Sequence, residues 1–108
     1  MISIDIKPLS VNQAWQGRRY KTPEYKKYEK DILFLLPKYY VIPDKIELNF
    51  IFGFSNPSSD IDNPIKLLQD IMQKKYKFND ANVFRLVVEK QKVKKGKEFI
   101  EFSIKEFK

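Results

Sequence analysis

The run Ile46–Phe54, IELNFIFGF, limits the folds open to this 108-residue chain more than any other stretch. Ile46, Leu48, Phe50, Phe52 and Phe54 alternate onto one face of an extended strand over about 45–54. Glu47 and Asn49 begin the other face, but Ile51 and Gly53 continue it, so that face turns from polar to apolar. A strand of this kind belongs inside a sheet, covered on one side and partly covered on the other.

The flanking segments supply the rest of a domain. Ile2, Ile4 and Ile6 alternate with Ser3, Asp5 and Lys7, which predicts a short half-buried strand ended by Pro8. Residues 9–21, LSVNQAWQGRRYK, have no clean period and read as a long loop, a kind often functional. Thr22, Pro23 and Glu24 form a helix start, and Tyr25, Tyr28, Ile32, Leu35 and Leu36 make one apolar stripe on a helix over 23–36 that Pro37 ends. After SNPSS a second helix is predicted over 62–75, capped by Asp62 or Asn63, with Ile61, Ile65, Leu68 and Met72 turned inward and Lys74 and Lys75 at its end. Strands over 83–93 and 98–104 follow, and the KKGK link with Gly96 predicts that they pair as a hairpin. The order β-α-β-α-β-β makes residues 1–108 a single α+β domain, one mixed sheet with two helices.

Composition narrows the chemistry. The chain is 43% hydrophobic and 15% aromatic, enough for a real core. It has no 18-residue apolar run, and MISIDIKPLS lacks the basic-then-apolar pattern of a leader, so a cytoplasmic protein with no membrane partner is expected. Without cysteine or histidine there is no disulfide, thiolate or imidazole chemistry, and any metal has to be held by oxygen. The formal charge of +7 is unevenly placed: residues 46–80 carry four bases and five acids, whereas both ends are strongly basic. That layout suits a polyanion drawn to the ends while the central acids hold metal.

Those acids lie in residues 58–80, SSDIDNPIKLLQDIMQKKYKFND. Asp60 and Asp62 stand two apart where a strand hands over to a helix, Lys66 and Asp70 follow at four-residue steps, and Asp80 arrives where the chain turns back to the sheet. With Ile61 buried, its two neighbours would point to one open edge, and Asp80 would add a third oxygen ligand for Mg²⁺. Such an ion activates water for attack on phosphorus, and Lys66 would add a mobile positive charge. The same residues also read as a turn residue, a helix cap and surface pairs worth about 0.2–0.5 kcal/mol each, and spacing alone leaves both readings open. In the loop, Arg18 and Arg19 could clamp phosphates, and Trp15 or Tyr20 could stack on a base. Trp15 closing over the core is an equal alternative.

Features along the whole chain then combine: Pro8-Leu9-Ser10-Val11-Asn12 after the first strand, Arg18-Arg19-Tyr20, Thr22-Pro23 before a helix with Tyr25 and Tyr28, and an intact D-x-D-N-x-x-K-x-x-x-D from Asp60 to Asp70. Asn79-Asp80 precedes Val83–Val88, Lys90 and Gly96. This pattern resembles the RusA-type endodeoxyribonucleases that resolve Holliday junctions. The resemblance implies a homodimer, of a group often carried by prophages, that cuts opposing strands of four-way DNA junctions with Mg²⁺ or Mn²⁺, leaving 5′-phosphate and 3′-hydroxyl ends. It implies that Asp60, Asp62 and Asp80 are the metal-binding catalytic carboxylates and Lys66 the catalytic lysine, with Asp70 and Asn63 in support. It places Asn12, Arg18, Arg19, Lys21 and Lys90 on the DNA. Asn79 stands where the family usually has a first aspartate, which leaves Asp80 to ligate. The alternative is a protein that binds branched DNA without cutting it.

Overall fold

The computed structural model describes residues 1–16 and 20–108. In chain order the elements are β1 (Ile2–Ile4), β2 (Trp15–Gln16), β3 (Tyr20–Lys21), α1 (Pro23–Leu35), β4 (Ile46–Phe54), α2 (Ile65–Tyr76), β5 (Val83–Lys92) and β6 (Phe99–Glu106). Four strands form a mixed sheet in the order β1-β6-β4-β5, and β2 pairs separately with β3. The expected α+β arrangement of one mixed sheet and two helices is the one found.

Strand β4 takes the interior place that its two-sided pattern requires. It runs parallel to β5 and antiparallel to β6, with Phe50 in register with Val88 on one side and Phe102 on the other. Ile46, Leu48, Phe50, Phe52 and Phe54 are buried, and Ile100, Phe102, Ile104 and Ile4 extend that apolar surface across β6 and β1. On the opposite face, Gly53 lets the sheet close tightly. A Cβ built there would clash with the ring of Phe99, its partner on β6.

The predicted hairpin between the last two strands is corrected. β5 and β6 never pair; they flank β4 on opposite edges, and the link between them passes the end of β4, where the Val93 N–H donates to the Phe54 carbonyl at 2.8 Å. Gly96 still makes the turn, with φ of 91°. The placement shows in the burial: Ile100 and Phe102 on the interior strand β6 are fully buried, whereas Phe84, Leu86 and Val87 on the edge strand β5 are exposed.

Helix α1 starts where expected. The Thr22 hydroxyl accepts from the Tyr25 N–H at 3.1 Å and donates to the Gln13 carbonyl at 2.6 Å, with Pro23 in the first turn. Tyr25, Tyr28 and Ile32 are buried, but Leu35 faces outward. Leu36 is extended ahead of Pro37, off the helical track, and turns back into the core. Helix α2 starts later than predicted. Residues 60–64 form turns in which the Asn63 and Ile65 amides donate to the Asp60 and Asp62 carbonyls, both at 3.3 Å. Asp62 therefore lies before the helix, Ile61 is exposed, and the buried face is Leu67, Leu68, Ile71 and Met72. Lys77 closes α2 in the left-handed region, with φ of 59°.

Lysines join the two helices. Glu29 on α1 receives Lys21 at 2.9 Å and Lys74 of α2 at 3.0 Å, and Lys75 donates to the Leu33 carbonyl at 2.9 Å. Past the end of β1, the Tyr40 hydroxyl accepts from the Ile104 N–H at 3.3 Å, covering the edge of β6 that β1 is too short to reach. Among the described residues no helix is long and apolar enough to cross a membrane.

Two outcomes are expected in urea titrations. Gly53→Ala loses about 1–3 kcal/mol of stability, and much of that loss disappears in a Phe99→Ala background because the clash is with that ring. Burial raises the Glu29 pKa, but the hydrogen bonds from Lys21 and Lys74 outweigh it and hold the carboxyl below its ordinary 4.5. Its contribution is complete above that value and is lost as pH falls through the lower folded value. Glu29→Gln therefore costs about 1 kcal/mol at pH 7 and flattens the loss of stability on acidification below pH 5.

Candidate active site

The chain leaving β4 is held in place before it reaches the first aspartate. The Ser55 hydroxyl donates to Glu98 at 2.7 Å, and that carboxylate also accepts the Gly96 N–H at 2.8 Å. The hydroxyl is the main reason that Glu98 is held below the usual carboxylate range. Asn56 folds a turn by accepting the Ser58 N–H on its side chain and the Ser59 N–H on its carbonyl. Lys90, projecting from β5, then donates to the Pro57 and Ser59 carbonyls at 3.2 and 2.8 Å. These bonds fix the chain immediately before Asp60 to β5 and to Glu98, the residue just ahead of β6. A cavity of about 300 Å³ opens beside it, with Asp60, Asn63, Ser10, Asn56, Lys7 and Glu98 on its wall.

A second cluster forms along α2. The Lys66 ammonium lies 3.0 Å from Asp70 and 3.2 Å from Asp80, joining the helix to the turn that precedes β5. Hydrogen bonds donated to Asp70 first and Asp80 second raise the Lys66 pKa above its ordinary value, so the side chain is a fixed cation at neutral pH. The left-handed Lys77 reverses the chain after α2, and Asn79 caps the following 3-10 turn by accepting the Ala81 N–H at 2.9 Å. An aspartate could make the same cap, which explains why an amide serves at this position.

Asp60, Asp62 and Lys66 are all exposed, but the expected convergence of Asp60, Asp62 and Asp80 is not seen. Among the described residues no three carboxylates gather closely enough to hold one ion. Asp60 and Asp62 lie in the chain that follows β4, whereas Asp80 lies in the separate turn that precedes β5. Asp80 is instead engaged by Lys66.

Among the residues expected on DNA, Asn12 is exposed in the 3-10 turn Val11–Gln13. Lys21 is paired with Glu29 and lies over the Tyr25 ring at 5.1 Å, and Lys90 holds the acidic loop. Arg18 and Arg19 lie outside the described residues. Trp15 packs edge-on against Tyr25 at 5.4 Å while remaining partly exposed. The roles of Lys90 and Glu98 as loop supports went unread in the sequence, because each depends on which strand neighbours β4.

Asp70→Asn is expected to lower the Lys66 pKa by removing its strongest partner. A side-chain NMR titration of Lys66 checks this, and an unchanged midpoint would show that Asp70 does not hold the ammonium.

Residues 7–105 of the chain match the family model described as Endodeoxyribonuclease RusA. No curated protein matches the chain.

Proposed function

The chain belongs to the endodeoxyribonuclease RusA family, and from that premise we propose that it is a homodimeric, Mg²⁺-dependent nuclease that resolves four-way DNA junctions by cutting opposing strands. The observation that carries this reading is the Lys66 bridge to Asp70 and Asp80, which ties the Asp60–Asp70 motif to the separate acidic turn before β5.

Asp60, Asp62 and Asp80 are the residues that would hold Mg²⁺, or Mn²⁺ in its place, which requires Asp80 to leave Lys66 and close on the other two. Their chemistry suits a hard cation: every donor is a carboxylate, and the chain has no thiolate or imidazole to favour a softer metal. The bound ion would polarise a phosphoryl oxygen and lower the pKa of a bound water.

The protein's own side chains do the rest. Lys90 and Asn56 keep the backbone before Asp60 in one conformation, so its carboxylate is presented with little freedom left to lose. Lys66, held protonated, supplies positive charge toward the phosphate as negative charge builds up in the transition state. The basic ends of the chain draw DNA in, with Asn12, Arg18 and Arg19 positioning its backbone. Lys21 and Lys90 serve the same end indirectly, as supports of the elements that face the DNA. In a two-fold assembly each subunit brings one such centre, one for each strand.

The test is cleavage of matched four-way, three-way and linear DNA with and without Mg²⁺, with cut sites mapped on each strand. Asp60→Asn, Asp62→Asn and Asp80→Asn should each lower four-way cleavage about 100-fold or more while retaining junction binding. Near wild-type cutting by all three variants would sink the proposal. Lys66→Ala should lower the cleavage rate more than the affinity. Junction binding with no scission at any Mg²⁺ concentration would leave a branched-DNA-binding protein.

A further inference from the structure

The sheet has two edges of very different character. One is β1, only three residues long, with Tyr40 covering the stretch that β1 leaves open. The other is β5, ten residues long, on which Phe84, Leu86 and Val87 are 56%, 42% and 47% exposed. Edge strands of monomeric proteins are usually shielded by charge, proline or shortness. Across Phe84–Val88 the one charged residue is Arg85, and it is folded onto its own sheet, 2.8 Å from Glu47. Such an edge invites another strand.

We propose that a second copy of this chain docks along β5, the two strands antiparallel about a two-fold axis at Val87, joining two four-stranded sheets into one. The proposal deepens the dimeric reading above and rests on it for the identity of the partner. The sequence selects the register. A two-fold axis normal to the sheet keeps every side chain on its own face, so the axis must pass midway between one residue and its own copy, and Leu86, Val87 and Val88 are the central choices. About Leu86, Arg85 would face Val87 of the partner subunit. About Val88, Val87 would face Glu89 of the partner subunit. About Val87, Arg85 faces Glu89 of the partner subunit, Leu86 faces Val88 of the partner subunit, and Val87 faces Val87 of the partner subunit. Of these three registers, only the one about Val87 pairs Arg85 with Glu89 and sets Leu86, Val87 and Val88 all against apolar partners; Phe84, opposite Lys90 of the partner subunit, stays stacked on Phe107 of its own chain at 5.5 Å. A guanidinium has five N–H donors, so Arg85 can keep Glu47 while it takes up the second carboxylate. The isologous match of one surface with itself is the form that a closed dimer requires.

Sedimentation equilibrium of the purified protein, without DNA or metal, tests the surface separately from the nuclease reading. The wild type should be dimeric at micromolar concentration. Val87→Asp and Glu89→Arg should each weaken dimerisation about tenfold or more, with circular dichroism unchanged. The chain has no cysteine, so Val87→Cys carries a single thiol. Mild oxidation should link most of it into a disulfide dimer, and much less of Leu86→Cys, whose thiols are out of register. A wild type that stays monomeric overturns the proposal, as does a dimer indifferent to Val87→Asp that does not cross-link through Val87→Cys. A monomer whose junction affinity falls on Val87→Asp would assign the strip to DNA and overturn it equally. A dimer that fails to cut DNA would leave the surface intact and remove only the nuclease reading.

Discussion

Strand β4 hydrogen-bonds to neighbours of opposite direction along its two edges, and nearly every other placement in the molecule follows from that. The parallel neighbour requires a crossover, which α2 provides, and the antiparallel neighbour requires a chain that passes the end of β4 to return on its far side. The buried face of β4 then gives both helices a common floor, with Leu68, Ile71 and Met72 from one and Tyr25, Tyr28 and Ile32 from the other in the same core. Gly53 shows how little slack remains, since even a methyl group there would displace the neighbouring ring.

Lysine does much of the structural work around that frame. In a chain of charge +7, a lysine is easily assigned to a polyanionic ligand, yet Lys21, Lys74, Lys75 and Lys90 each end on a carboxylate or a carbonyl of the protein itself. Lys66 differs from these because both its partners are carboxylates of the candidate site. Its charge is held there by the groups a cation would compete for, so one of the two negative charges of Asp70 and Asp80 is offset before any ligand arrives.

The sequence made the framework readable where one element determines its own pattern. Alternation in Ile46–Phe54 and the Thr22–Pro23 start of α1 are local properties, and both elements lie within a residue of where periodicity puts them. Pairing is not local. A short glycine link between two apolar runs has the signature of a hairpin, and nothing within residues 83–104 says that β4 will come between them. The start of α2 was misplaced for a related reason: Asp62, Asn63 and Pro64 are all good helix-start residues, and backbone bonds within the turn chose among them. The acidic residues themselves were evident, as was Lys66. Whether they meet depends on how the chain after β4 and the turn before β5 fold against each other, a tertiary property rather than one of spacing.

The pairing of β1 with β6 joins Ile2 to Phe102, almost the full length of the chain. During synthesis, residues 46–54 emerge long before their second neighbour exists, so their apolar face has only a partial cover until residues 99–106 arrive to fill the gap between β1 and β4. A topology this non-local also folds slowly, because distant segments must meet before the enclosed chain is rewarded. Intermediates that lack the final strand would present two unsatisfied sheet edges facing each other across an empty slot. Aggregation during expression would then originate in that slot, and cooling, which weakens apolar association, would relieve it more than added DNA or metal.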